Sequence, residues 1–126
     1  METFRHYEDG TTICSIFDEV TGLTFTGIAK CNPADTYDER IGDTLASGRA
    51  QIEALRVNRE AIRAAKKDLQ TVISCVKQKK DYRPKDYKTL FHLVENYEYG
   101  IKAINAQIRC IKYDLSTYLN ARVKSK

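Results

Sequence analysis

The last third of the chain carries an unbroken row of large apolar residues spaced alternately three and four apart: Tyr87, Leu90, Val94, Tyr97, Ile101, Ile104, Ile108, Ile111, Leu115 and Tyr118. On a helix such positions share one face, so the row is a continuous seam that needs a partner to cover it. The preceding segment has the same register in Ile41, Leu45, Gly48, Ile52 and Leu55, then Arg59, Ile62, Lys66, Leu69, Ile73 and Val76. Between the two rows stands the breaker Asp81-Tyr82-Arg83-Pro84. Two long helices, one over 37–79 and one over 85–122, are therefore expected to fold back on each other as an antiparallel hairpin. At 1.5 Å per residue the first would run about 65 Å.

Helix one has defects in its seam. Gly48 interrupts it, and Arg59 and Lys66 hold core positions. A charged seam residue must reach a carboxylate, snorkel to solvent or meet an anionic ligand. A second stripe of Ala46, Ala50, Ala54, Ala61 and Ala65 suits close approach of another helix, although alanine is also the best helix former. Helix two has apolar residues off its seam, Phe91, Leu93, Ala103, Cys110 and Leu119, which one partner helix cannot cover. A homo-oligomer, dimer or hexamer, is expected.

The first thirty residues have strand character. Glu2–Tyr7 ends at Asp9-Gly10, a strong hairpin-turn dipeptide, and Thr11–Asp18 is rich in Thr, Ile, Cys and Phe. The turn Glu19-Val20-Thr21-Gly22 leads into Leu23–Lys30. In that strand Leu23, Phe25 and Ala29 should face one side, and Thr24, Thr26, Ile28 and Lys30 the other. So small a sheet cannot stand alone and must lean on the hairpin. The segment Cys31-Asn32-Pro33-Ala34-Asp35-Thr36 punctuates the change to helix, with Asp35 or Thr36 placed to cap it and Asp38 and Glu39 favouring its positive end. The fold expected is α+β: a small N-terminal antiparallel β-sheet (1–31) packed on a long antiparallel two-helix hairpin, one domain over 1–126.

The net charge of +4 is unevenly spread. Residues 1–40 hold three basic and eight acidic groups, a net of −5, while residues 41–126 hold eighteen and nine, a net of +9. A basic helical part suits an anionic partner, and equally describes a well-solvated pair of helices. No stretch approaches the ~20 apolar residues that span a bilayer, and the polar start Met-Glu-Thr-Phe-Arg-His is unlike a secretory signal. A cytoplasmic protein without membrane partners is expected. Cys14, Cys31, Cys75 and Cys110 include no C-x-x-C pair, so four small buried thiols are expected rather than a zinc site or disulfides.

Catalytic signatures are sparse. His6 and His92 have no nucleophile turn beside them, and no phosphate loop or metalloprotease pattern occurs. The pairs Asp18/Glu19 and Asp38/Glu39 suit a turn and a helix start better than acid–base work. A non-enzyme with no cofactor and no metal is expected. Binding chemistry is richer. Around the interhelical turn lie Lys77, Lys79, Lys80, Tyr82, Arg83, Lys85, Tyr87, Lys88 and Phe91. Cations interleaved with aromatics suit a nucleotide, charge holding phosphate and rings stacking on the base; the same residues would also make a solvated turn. Further along, Arg109, Arg122 and Lys124 accompany Asn105, Thr117 and Asn120. Asn and Thr can read a base edge while Arg pairs with phosphate.

The stretch Glu8-Asp9-Gly10-Thr11-Thr12-Ile13-Cys14 is followed by Gly27-Ile28-Ala29-Lys30-Cys31-Asn32-Pro33-Ala34-Asp35-Thr36-Tyr37-Asp38, then by Ile41-Gly42-Asp43-Thr44-Leu45-Ala46-Ser47-Gly48-Arg49-Ala50. With the small sheet, the two helices and the length, these runs resemble the phage Thoeris anti-defence protein one family across nearly the whole chain. The resemblance implies a sponge that sequesters cyclic ADP-ribose signals, and in some members cyclic oligonucleotides, without degrading them, in the cytoplasm of the host bacterium. It also implies ligand sites built between protomers from aromatic, Asn and Arg residues. By type and place, Lys30 stands where a basic residue precedes the Cys-x-Pro corner, and Arg109 suits a phosphate. Tyr82, Tyr87 or Phe91 would stack, and Asn96 or Asn105 would supply the polar contact. Two rivals remain: a basic nucleic-acid-binding protein, against which the acidic sheet and scattered arginines count, and an adaptor coiled coil.

Overall fold

The computed structural model describes residues 1–31, 38–78 and 84–124, and the side chains of all of these except 84–86 and 122–124. Three strands, β1 (Glu2–His6), β2 (Thr11–Phe17) and β3 (Thr24–Lys30), are followed by the helices α1 (Glu39–Gln78) and α2 (Pro84–Lys124). The sheet is antiparallel in the order β1-β2-β3, with Phe4 opposite Cys14 and Cys14 opposite Gly27. The protein is thus an α+β fold, a three-stranded sheet packed on a two-helix hairpin. Pro33, Asp35 and Thr36 of the expected sheet-to-helix corner, and Asp81, Tyr82 and Arg83 of the interhelical turn, lie outside the described residues.

Each turn has a local cause. At the first, Gly10 takes a φ of +88°, a backbone conformation that favours glycine. Asp9 accepts from the Thr11 amide at 3.0 Å, an Asx-type closure. At the second, the Asp18 carboxylate accepts from the Val20 amide and the Thr21 hydroxyl, both at 3.0 Å. At the helix start, Asp38 Oδ1 accepts from the Arg40 amide at 2.9 Å while its carbonyl receives Gly42 N–H at 3.1 Å.

The described contacts group the chain into two compact units, Met1–Leu55 with Ile108–Lys126, and Arg56–Gln107. In the first, the alternation along β3 is as expected: Phe25, Gly27 and Ala29 turn inward, while Thr24, Thr26, Ile28 and Lys30 are on the wet face or half out of it. Cys14, Ala29, Ala46 and Ala50 form the buried centre, with Phe4, Ile16 and Leu45 packed around it. Ala46 and Ala50 therefore serve the sheet rather than a further helix. Gly27 explains why: a Cβ there would strike the backbone of α1 at Ala46 and Ala50. Farther along the same unit, Gly48 leaves room for the Leu115 side chain, 2.7 Å from where a Cβ would stand. Arg49 donates from Nη1 to the Ile28 carbonyl at 2.7 Å, occupying an acceptor on the edge strand.

In the second unit the seams meet in antiparallel order. Ile62 lies opposite Gly100, Arg59 opposite Asn105, and Lys66 opposite Glu98. Both seam cations are answered by polar groups: Lys66 Nζ is 3.2 Å from Glu98 Oε1, and Arg59 Nη1 donates to Asn105 Oδ1 at 2.8 Å. Every seam position of α2 from Tyr87 to Tyr118 is buried or half-buried.

The cysteines depart from expectation. Cys14 is buried and Cys31 half-buried, but Cys75 and Cys110 are exposed, and all four are free thiols. Cys75 follows the seam residue Ile73 by two positions and Cys110 follows Ile108 by two, which turns both away from the partner helix.

Candidate functional site

The residues singled out from sequence divide between the two units. In Arg56–Gln107, Tyr87 occupies the seam near the start of α2, and Phe91 follows one turn later with about half its surface exposed. Their rings lie 6.4 Å apart at an interplanar angle of 26°, an offset stack. Lys77, in the last turn of α1, places its ammonium 5.0 Å from the Tyr87 ring centroid. That distance is within cation–π range. The exposed Lys88 follows Tyr87 directly. The cation–aromatic pattern legible near the turn is thus assembled in three dimensions by Lys77, Tyr87 and Phe91. A flat ligand could extend the stack on Phe91, and ammonium groups at its margin would favour an anionic one.

Asn96 is exposed on α2, whereas Asn105 is half-buried and already accepts from Arg59. Asn105 is therefore part of the hairpin's own polar rung. Tyr82 and Arg83 lie outside the described residues, as does the side chain of Arg122.

In the other unit, Lys30 ends β3 on the outer face of the sheet, and Arg109 and Thr117 are exposed on α2. The inner face carries Phe4, which lines a groove with Ile111 and Leu115 of α2. Lys30 lies on the opposite face of the sheet from Phe4, and neither Lys30 nor Arg109 lines this groove.

That groove, of about 430 Å³, is absent from the sequence reading. Its floor is Phe4, Ile111 and Leu115, and its polar margin is Asp43, Ser47, Gln51 and Asp114. Asp43 meets His6 at 2.6 Å, and Ser47 donates to Glu2. Carboxylates without a lysine or arginine among the lining residues repel phosphate, so the groove does not suit the anionic end of a nucleotide. Only the sheet-to-helix packing creates it, and no local pattern announces it.

The Cys14 thiol donates to Glu2 Oε1 at 3.3 Å, and burial followed by this carboxylate pushes its pKa up to about 12. Such a thiol is inert as a nucleophile. Among the described residues there is no group of three or more His, Cys, Asp or Glu able to hold a metal ion, and no helix is long and apolar enough to cross a membrane. No family model, no curated protein and no solved structure matches this chain.

Proposed function

We propose that this chain is a non-catalytic binding protein that captures a small cyclic nucleotide signal and holds it unaltered, as the Thoeris anti-defence family it resembles does. The ligand is of the cyclic ADP-ribose type, with cyclic oligonucleotides as a further class, and the setting is the cytoplasm of a phage-infected bacterium. The observation that carries the reading is the Lys77–Tyr87–Phe91 stack, an aromatic surface with a cation at its edge and Phe91 half open to a ligand.

The mechanism is mass action. Sequestration needs no turnover, only affinity below the signal concentration that triggers the downstream effector. Nanomolar binding corresponds to about −12 kcal/mol. One stacked base contributes about 1–3 kcal/mol, and a hydrogen bond to a charged group about 1.5–3 kcal/mol. Several such contacts in an enclosed site are required, and an open helical face encloses nothing. A second copy supplies the enclosure. The exposed Phe91 and Leu93 in one unit and Leu119 in the other support an oligomer, dimer or hexamer, whose interfaces would also bring Lys30 and Arg109 of different chains within reach of one ligand.

A thermal-shift panel of cyclic ADP-ribose isomers, cyclic di- and trinucleotides and short oligonucleotides tests the reading. A ligand that binds only the native state raises the melting temperature. A shift with one cyclic nucleotide class, recovered intact after heating, is the expected result. The net charge of +9 over residues 41–126 favours nucleic acid as a second reading. Shifts confined to oligonucleotides and lost with salt would replace the sponge with that reading.

A further inference from the structure

Arg56, Arg59 and Arg63 recur at i, i+3 and i+7 on α1, a spacing that lines them along one flank of the helix. Arg59 is the unusual member. It stands in the apolar seam with its side chain only 22% exposed, and its Nε is buried with no hydrogen-bond partner. Oε1 of Glu60 is 3.6 Å from that Nε, inside ion-pair range but too long for a hydrogen bond. The same Oε1 is 2.6 Å from Nη1 of Arg63. One carboxylate oxygen therefore lies between two guanidiniums and satisfies one of them. Arg56 is exposed and makes no ion pair among the described residues, so the four groups carry a net positive charge.

The Asn105 hydrogen bond accounts for one guanidinium nitrogen of Arg59 but leaves its buried Nε unanswered, and an anion would answer it. A phosphate offers three acceptor oxygens in tetrahedral array, against the two coplanar oxygens of a carboxylate, and guanidinium forks match it well. We propose that Arg59 and Arg63, with Arg56 at the rim, form a subsite for a phosphate-bearing anion, in which the Glu60 carboxylate is a stand-in that the phosphate displaces. Glu60 is mostly exposed, and an ion pair in solvent holds it weakly, so displacement costs little. Asn105 fixes the Arg59 guanidinium by accepting from Nη1, leaving Nε for the ligand. The subsite stands apart from the Lys77–Tyr87–Phe91 stack and does not depend on it.

Calorimetric titration with inorganic pyrophosphate at fixed ionic strength tests the subsite. Wild-type protein binds. Glu60→Gln removes the competing charge at nearly constant shape and tightens binding about fivefold or more. Arg63→Gln weakens binding, and Arg59→Leu, which leaves the seam apolar, abolishes it. A merely structural Glu60 would leave affinity unchanged, so the sign of the Glu60→Gln effect separates the two roles. Absence of wild-type binding, no gain with Glu60→Gln, or undiminished binding with Arg63→Gln overturns the proposal. The Glu60 and Arg63 variants carry the test even where Arg59→Leu disturbs folding, and because neither touches Tyr87, the hairpin-end site is judged separately.

Discussion

Gly27 of β3 and Ala46 of α1 meet with no side chain between strand and helix backbone: a Cβ on Gly27 would land on the Ala46 carbonyl oxygen. This contact sets how closely the sheet rests on α1, and so the position of Phe4 over the groove. Gly27→Ala is expected to destabilise the fold by about 1–3 kcal/mol, or more, because the obstacle is backbone and cannot rotate aside. Gly48→Ala meets only the branched end of Leu115 and is expected to cost less. Urea denaturation of both variants checks the order; a Gly27→Ala protein as stable as wild type contradicts the packing described.

The seam cations give a second expectation. Lys66 is partly exposed and paired with Glu98. Replacing it with leucine extends the apolar row, and such a pair contributes little in solvent. Lys66→Leu is therefore expected to change stability by less than about 1 kcal/mol or to raise it, measured by thermal unfolding. A large loss would show that the ion pair holds the hairpin.

Thiol reactivity should follow burial. Cys75 and Cys110 are expected to react with an alkylating reagent at neutral pH, and Cys14 only on unfolding. The raised pKa of Cys14, from 9.0 to about 12, favours its neutral form in the folded state. Its contribution to stability is therefore complete below about pH 9 and lost as pH rises toward 12. Mass spectrometry of the alkylated native protein, with stability measured across that pH window, checks both points.

Asp9 behaves in the opposite sense. Hydrogen bonds from Thr11 hold its carboxyl below the ordinary 3.8. The help it gives the β1–β2 turn is present above that pH and fades as pH falls through the lowered value. The Thr11 amide resonance should titrate there, and Asp9→Asn should remove the titration.

Tyr87→Leu keeps an apolar residue in the seam but removes the ring beneath Lys77 and beside Phe91. Nucleotide affinity is expected to fall by about 0.5–1.5 kcal/mol, the size of the aromatic pair that positions Phe91, with the fold retained. Arg109→Ala, at an exposed position, should weaken binding while leaving assembly unchanged. Equilibrium binding alongside light scattering separates these effects from loss of the oligomer.

The hairpin was legible because its seam is written in sequence, and every position from Tyr87 to Tyr118 that the 3-4 spacing marks is buried or half-buried. Strand alternation in β3 was legible for the same reason, since inside and outside are set by a period of two. The role of the alanines is not legible, because spacing shows that Ala46 and Ala50 admit a close neighbour without saying that the neighbour is a strand. Asp38 was legible as an acidic residue at the helix start, but its bond to the Arg40 amide exists only once the first turn has formed. The seam marked Arg59 as anomalous, but its Asn105 partner and its orphaned Nε exist only once the helices pair.

Titration calorimetry of the purified protein with cyclic ADP-ribose isomers, with the ligand recovered and its mass determined, tests the central claim most directly. Saturable binding tighter than about micromolar, with the ligand returned unchanged, is the predicted result. No binding of any isomer, or a ligand returned as a cleaved product, would contradict it.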